Sequence, residues 1–411
     1  MKGAYPMKIL ILSILALSFL YRLALNIVQY RSCGNPIPEN VADIFDGETY
    51  EKWRRYSAER CRLSIVSDIL TFLSSAALLW FNVYAAFCGL FGGGPFLQLL
   101  AAVLLDALIG AVIGAVTGYY STMVIEQKYG FNRSSMKTFL TDQLRNFLLG
   151  FGLSLLLAWL LYALHSALGD WMILLFAAAV FCLTLAISFL YPIFSRLGNK
   201  FVPLEDGELK DNLMGLLTKH GYQVKAIEVM DASRRTTKLN AYFTGFGKLK
   251  TIVLYDNLVN AMSPDEICAV FAHELGHGLH KDVLKQQIMN IGNLLMMAVV
   301  VWLAVRDPQI HAAFGFSGVN YGFGFILSGI GLGLVQPLSG IVMNAYSRYA
   351  EFRADRQAVE EGYGDALVTA LKMLAKENFA HLAPSPINVV LEYSHPPLSQ
   401  RIAGIQKAKK E

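Results

Sequence analysis

Charge is scarce in this 411-residue chain: 16% of its residues are Asp, Glu, Lys or Arg, against 55% hydrophobic. A soluble protein carries about 25% charged residues, so the apolar surplus needs a cover other than water, and lipid is the cover that fits. The charges present nearly cancel, at +4, and no basic run is interleaved with stacking aromatics, which excludes nucleic acid as a partner. Cysteine is sparse too. Cys33, Cys61, Cys88, Cys182 and Cys268 form no C-x-x-C pair, so neither a disulfide framework nor a thiolate zinc site is indicated, and buried free thiols are expected. There is no repeat and no low-complexity tract. The first apolar run, residues 7–28, is longer than a signal-peptide core and has no clear small-residue cleavage site; it is read as a retained membrane helix.

Seven apolar segments, at roughly 7–30, 62–91, 97–125, 146–168, 171–194, 284–305 and 319–346, reach the about 20 residues that a bilayer crossing needs. Gly110, Gly114 and Gly118 in the third have the small-xxx-small spacing that lets helices approach closely. Loop 31–61 carries Arg31, Lys52, Arg54, Arg55 and Arg60, and loop 126–145 carries Lys128, Arg133, Lys137 and Arg145, whereas the loops on the other side are almost bare of basic residues. By the positive-inside rule the amino end lies outside and the carboxyl end in the cytosol. The expected fold is mostly α and polytopic, with a zincin-like α+β catalytic domain. Its expected divisions are 1–194 with five membrane helices, 195–283 with the catalytic helix, 284–346 with two further membrane helices, and 347–411 completing the catalytic domain.

Segment 195–283 reads as an amphipathic helix with Leu209, Leu213, Leu216 and Leu217 on one stripe, stopped at Gly221. Strand-like runs at 224–230, 241–244 and 251–255 follow. Ser263, Pro264 and Glu266 then make a helix start with a capping box, which predicts a helix over 264–280. On it stands His273-Glu274-Leu275-Gly276-His277. Histidines at i and i+4 share a helical face and can meet one Zn²⁺, and Glu274 is placed to act as general base on the hydrolytic water.

A two-histidine zinc site needs a third protein ligand and an open position. Glu351 supplies the ligand, and Asp355, four residues on, can hold a ligand imidazole through its ring N–H; the alternative for Asp355 is a surface salt bridge with Arg348 or Arg356. A tetrahedral intermediate also needs a donor or cation beside its oxyanion. Residues 394–401 offer His395 and Arg401, or else a plain polar loop before a terminal helix. Asn240 opens a strand-like run whose edge can pair with a peptide and whose amide can hold it, with a hairpin packed on its own domain as the alternative. Arg22, Asp68 and Asp106 lie within membrane spans, where charges face a polar cavity or a partner. His165, His220, His280, His311, His381 and Asp282 read as polar or capping residues.

Together, Ile125 to Asn132, Asn240-Ala241-Tyr242-Phe243 with Gly245, His273 to His277, Glu351 to Asp355, and Ser394 to Leu398 with Arg401 make the chain resemble the type I CAAX prenyl endopeptidases over about residues 35–401. The resemblance implies seven long helices around a water-filled chamber with side portals and a zinc site facing inward. It implies removal of the last three residues of prenylated CAAX proteins. It also implies one zinc held by His273, His277 and Glu351, Glu274 as base, Asp355 behind the metal, and substrate or oxyanion contacts from Asn240, His395 and Arg401. Partners are then a peptide or protein substrate and the lipid bilayer. Where members often show an aromatic after the second histidine, this chain has Gly278-Leu279.

The runner-up is the heat-shock membrane metalloprotease of quality control, which is shorter and has fewer spans. A transporter or lipid-binding chamber with an incidental H-E-x-x-H is the reading of another class. The tail from Lys407 to Glu411 fits a K-x-K-x-x retrieval signal, consistent with the endoplasmic reticulum membrane in a eukaryote and the inner or plasma membrane in a bacterium.

Overall fold

A computed structural model describes residues 4–196, 199–222, 225–244 and 251–411. The helices used below are α1 (Ala4–Ser32), α2 (Gly47–Trp80), α3 (Pro95–Tyr119), α4 (Met136–Leu168), α5 (Met172–Ser195), α6 (Glu208–Lys219), α7 (Pro264–Leu279), α8 (Asp282–Arg306), α9 (Tyr321–Glu360), α10 (Gly364–Glu377) and α11 (Leu398–Ala408). Among the described residues, 6 helical runs are long and apolar enough to cross a membrane, one of them Met136–Ile187 at 52 residues. At about 1.5 Å per residue that run is far too long for one crossing of a core about 30 Å thick. Gly169, with φ +54, turns the chain between α4 and α5, which pack on each other. Seven spans therefore stand, as the sequence predicts. Leu73, Val112, Leu148, Leu174, Ile288 and Leu338 stay exposed on them, an outer surface suited to lipid.

Two of the predicted boundaries, those of the second and the last span, are corrected. The second span is not 62–91: α2 starts at Gly47, where the Asp46 side chain accepts from Thr49 N–H, and ends at Trp80. Asn82 then takes a left-handed φ of +56, and a separate short helix, Val83–Gly89, follows. Hydropathy runs through this break because the short helix is itself apolar, and asparagine is among the few non-glycine residues at ease there. The third helix passes into a π-helical turn, Tyr120–Glu126, a local widening of the helix. The last span continues unbroken to Glu360, with Pro337 inside it, so one 40-residue helix carries both the crossing and Glu351.

Inside the bundle, Asp106 accepts from the Tyr84 hydroxyl at 2.7 Å, while Asp68 meets Asn26 Nδ2 at 2.8 Å and Arg22 Nε at 3.7 Å. Cavities of about 400 and 370 Å³ share Asp106, Phe325 and Ile326 in their walls. The intramembrane acids thus meet partners and cavities.

The catalytic unit carries a sheet of β1 (Phe201–Pro203), β2 (Ala226–Met230), β3 (Ala241–Thr244) and β4 (Thr251–Tyr255), in the order β1-β2-β4-β3. β2 and β4 are parallel, and β3 is antiparallel to β4 with Ala241 opposite Leu254. Strand β1 escaped the sequence reading: three residues ending in proline leave no alternation to detect. Val224 and Gly245, at the ends of two predicted runs, lie outside the described residues. The stripe of α6 is as predicted: Leu213, Leu216 and Leu217 are buried against Ile252, Leu254, Ile267, Ala272 and Leu275. Each such leucine contributes about 1.5–3 kcal/mol by leaving water. This core ties α7 to the sheet.

Candidate metal centre

Helix α7 begins as the sequence predicts. Ser263 Oγ accepts from Glu266 N–H at 3.3 Å, Glu266 Oε2 accepts from Ser263 N–H at 2.8 Å, and Pro264 occupies the first turn. That cap sets the register in which His273 and His277 face α9. At Gly276, between them, the two helices are in close contact: a Cβ there would lie 3.0 Å from Ala354 Cα and 3.0 Å from Gln357 Cβ. A side chain at this position would push α9, and Glu351 with it, away from the histidines.

His273, His277 and Glu351 come together with ligand atoms all within 4.8 Å of one another, and no other such trio of His, Cys, Asp or Glu exists among the described residues. His273 Nε2 lies 3.5 Å from Glu351 Oε2, and His277 Nε2 lies 3.4 Å from Glu351 Oε1. The opposite ring nitrogens are taken. His273 Nδ1 is 2.9 Å from Asp355 Oδ1, and His277 Nδ1 is 3.0 Å from Asp282 Oδ2. A carboxylate on Nδ1 keeps the proton there and turns the Nε2 lone pair toward the common point. Glu351 Oε2 is buried without a hydrogen bond of its own. Two imidazole lone pairs and a carboxylate oxygen around one point are the donor set that zinc takes, so these residues fit the metal.

Arg401 is buried and fully engaged. Its Nε and Nη2 donate to the two oxygens of Asp355 at 2.9 and 2.6 Å, and its Nη1 lies 3.2 Å from Glu351 Oε2. The guanidinium therefore faces the carboxylates behind the histidines. His395 approaches from the solvent side with 65% of its side chain exposed, its Nε2 3.3 Å from Glu351 Oε1 and its Nδ1 2.9 Å from Ser394 Oγ. Glu274 is half-buried and shares a small cavity with Ala241, Tyr242 and Phe271. Asn240 is exposed where the chain enters β3.

Burial and the Arg401 charge oppose protonation of His273, yet its hydrogen bond with Asp355 and the adjacent Glu351 carboxylate outweigh them and raise its pKa to about 9. His277 is raised as well, its bonds with Glu351 and Asp282 overcoming burial. Without a metal, His273 therefore carries its second proton at neutral pH.

Asp282 is the site residue that the sequence reading passed over as a cap. Besides His277 it meets Tyr346 Oη at 2.9 Å and Arg353 Nη2. Its five-residue distance from His277, just past a helix end, was the available signal. The space beside Gly278 is filled: a Cβ there would lie 2.7 Å from the Tyr222 hydroxyl.

The model of peptidase family M48 matches residues 203–409, and the model of the CAAX prenyl protease N-terminal region, described by its five membrane helices, matches residues 26–196. A CAAX prenyl protease 1 homolog of Oryza sativa is 30% identical, with 99% of this chain and 100% of that protein covered. The chain belongs to the CAAX prenyl protease family, within peptidase family M48. CAAX prenyl protease 1 of Saccharomyces cerevisiae is 28% identical over 97% of this chain and 95% of its own length. The crystal structure of S. mikatae Ste24p superposes with a TM-score of 0.90 at 27% identity, covering 97% of this chain and 99% of that one. This family member is thus a multi-span membrane metallopeptidase, a hydrolase of peptide bonds.

Proposed function

We propose that this membrane endopeptidase carries out CAAX-type processing of prenylated proteins or peptides with a single zinc held by His273, His277 and Glu351. One observation carries the reading: both Nε2 atoms and the Glu351 carboxylate face one point while carboxylates occupy both Nδ1 atoms. Zinc, when bound, supplies the Lewis acid that polarises the scissile carbonyl and acidifies water. Glu274 takes a proton from the attacking water and passes it to the leaving amine. Asp355 and Asp282 fix the two imidazoles, and Arg401 fixes Asp355 and Glu351, so its part is positioning rather than oxyanion contact. His395, exposed at the rim, donates to the oxyanion. Asn240 and β3, the edge strand among the described residues, hold the peptide backbone. The membrane helices and the catalytic segments act as separate divisions of the chain, with the catalytic segments on the basic, cytosolic side, in the endoplasmic reticulum membrane if the source is a eukaryote. The five-helix match ahead of the catalytic region favours this over the shorter heat-shock protease.

The test is elemental analysis together with cleavage of a farnesylated CAAX peptide. One zinc per chain is expected, lost in His273→Ala. Glu274→Gln is expected to keep the zinc and to lose cleavage by at least about 100-fold. A rate near that of the parent protein removes Glu274 from its role, and a chain that purifies active without zinc overturns the metal.

A further inference from the structure

The segment from Ile125 to Asn132, which the sequence reading singled out, is not used by the metal centre. Its side chains build a different contact. Glu126 Oε1 accepts from the Tyr56 hydroxyl at 2.7 Å, and Tyr56 and Phe131 meet Phe379 edge-on, 5.7 and 4.9 Å from its ring, with Tyr129 in turn against Tyr56. Trp53 Nε1 donates to the Phe379 carbonyl at 3.1 Å. Phe379 has a φ of +50, a conformation costing a bulky residue on the order of 1 kcal/mol or more, which persists only where its surroundings impose it.

Asn378, the residue before Phe379, is the C-cap of α10. Its amide meets one residue on both polar sides: Oδ1 accepts from Leu239 N–H at 3.0 Å, and Nδ2 donates to the Leu239 carbonyl at 3.1 Å. The flanking residues are held too. Asn257 Nδ2 donates to the Lys238 carbonyl at 2.8 Å, and Lys238 Nζ reaches over Phe131 to the Tyr56 hydroxyl at 3.3 Å. Leu239 is buried, and the next residue is the exposed Asn240, where the chain enters the edge strand β3 beside Glu274.

We propose that Asn378 is a positioning residue for peptide binding: its amide clamps Leu239 and so fixes the β3 edge, while the segment from Glu126 to Phe131, together with α2, fixes Asn378 from the membrane side. The inference rests on the reading that Asn240 and the β3 edge hold the substrate. A clamp of this kind acts on where the peptide lies and leaves the metal and its base untouched, so its loss appears in KM.

The experiment uses the full-length zinc-loaded protein and a farnesylated CAAX peptide, with kcat, KM, zinc content and Tm measured for Asn378→Ala, Asn378→Asp and Asn240→Ala. Asn378→Asp keeps the shape of the side chain and the acceptor for Leu239 N–H but loses the donor to its carbonyl. Asn378→Asp is expected to raise KM about tenfold, the effect of one lost hydrogen bond, and Asn378→Ala, which loses both, by at least about as much, with kcat within about twofold and full zinc. Unchanged KM in both overturns the clamp. So does a fall in Tm and zinc in both variants with KM of the surviving enzyme unchanged, which marks Asn378 as a structural cap only. If Asn240→Ala raises KM and the Asn378 variants do not, the clamp alone fails. If Asn240→Ala leaves KM unchanged, the β3 reading fails and takes the clamp with it.

Discussion

Asp282 accepts the ring N–H of His277 at 3.0 Å from the first turn of α8, the helix that goes on to cross the membrane. A membrane helix thereby anchors one of the metal-facing imidazoles. The other is anchored by Asp355 on α9, which also rises out of the membrane. The orientation of both rings therefore depends on how α8 and α9 pack.

Zinc retention separates the carboxylates. Glu351→Ala is expected to lose most of its zinc on dialysis, because two histidines hold it poorly. Asp355→Ala and Asp282→Ala lose an orienting bond, which typically costs about 10–100-fold in affinity or activity, so both should refill when zinc is in excess. Cleavage should stay low even when they are refilled, since a loosened imidazole moves the metal relative to Glu274. Full zinc in dialysed Glu351→Ala removes that residue from the site.

The raised pKa of His273 sets opposite pH trends in the two states. Its folded value of about 9 lies above the ordinary value of 6.5, so the imidazolium stabilises the metal-free protein fully below about pH 6.5, and that contribution fades as pH rises through about 9. Zinc needs the neutral ring, so apparent zinc affinity should climb by about tenfold per pH unit for each histidine proton displaced. It should level off on His273's account near pH 9. Zinc titrations at several pH values check this, and an affinity flat between about pH 7 and 9 contradicts it.

Gly276→Ala tests the helix crossing. The added methyl meets the Ala354 backbone at 3.0 Å, so α9 must shift by a few tenths of an ångström. Loss of stability of about 1–3 kcal/mol is expected, with weakened zinc binding, read from Tm and zinc content. Gly215→Ala, in α6 with nothing within 4 Å of a Cβ, is the control: it should leave zinc content unchanged and raise stability slightly, by about 0.4–1 kcal/mol.

Orientation is read with an impermeant thiol reagent on sealed vesicles of known sidedness. Gly93→Cys and Ala312→Cys, both exposed at loops poor in basic residues, should be labelled from outside, and Asp206→Cys and Lys410→Cys should not, above the background of the native thiols. The reverse pattern overturns the orientation.

The parts of this protein that depend on short stretches of chain were legible in the sequence. The spans, the capped start of α7, the stripe of α6 and the spacing of His273 and His277 all follow from periodicity and local hydrogen bonding, which act within a turn or two. Glu351 and Asp355 could be named because they share one face of one helix. What lay beyond reach depends on elements meeting across the fold. The break at Asn82 is hidden because apolar residues stand on both sides of it. Arg401 could be singled out as a cation near the site, but only the packing of α11 against α9 decides that its guanidinium meets Asp355 and Glu351. Asp282 looked like a cap until α7 and α8 were seen to fold back so that it meets His277, and Asn378 stood 139 residues from the strand it holds. Each of these pairings is made by helix packing, whose close approaches depend on a few small residues such as Gly276, and no local pattern encodes which surfaces they bring together.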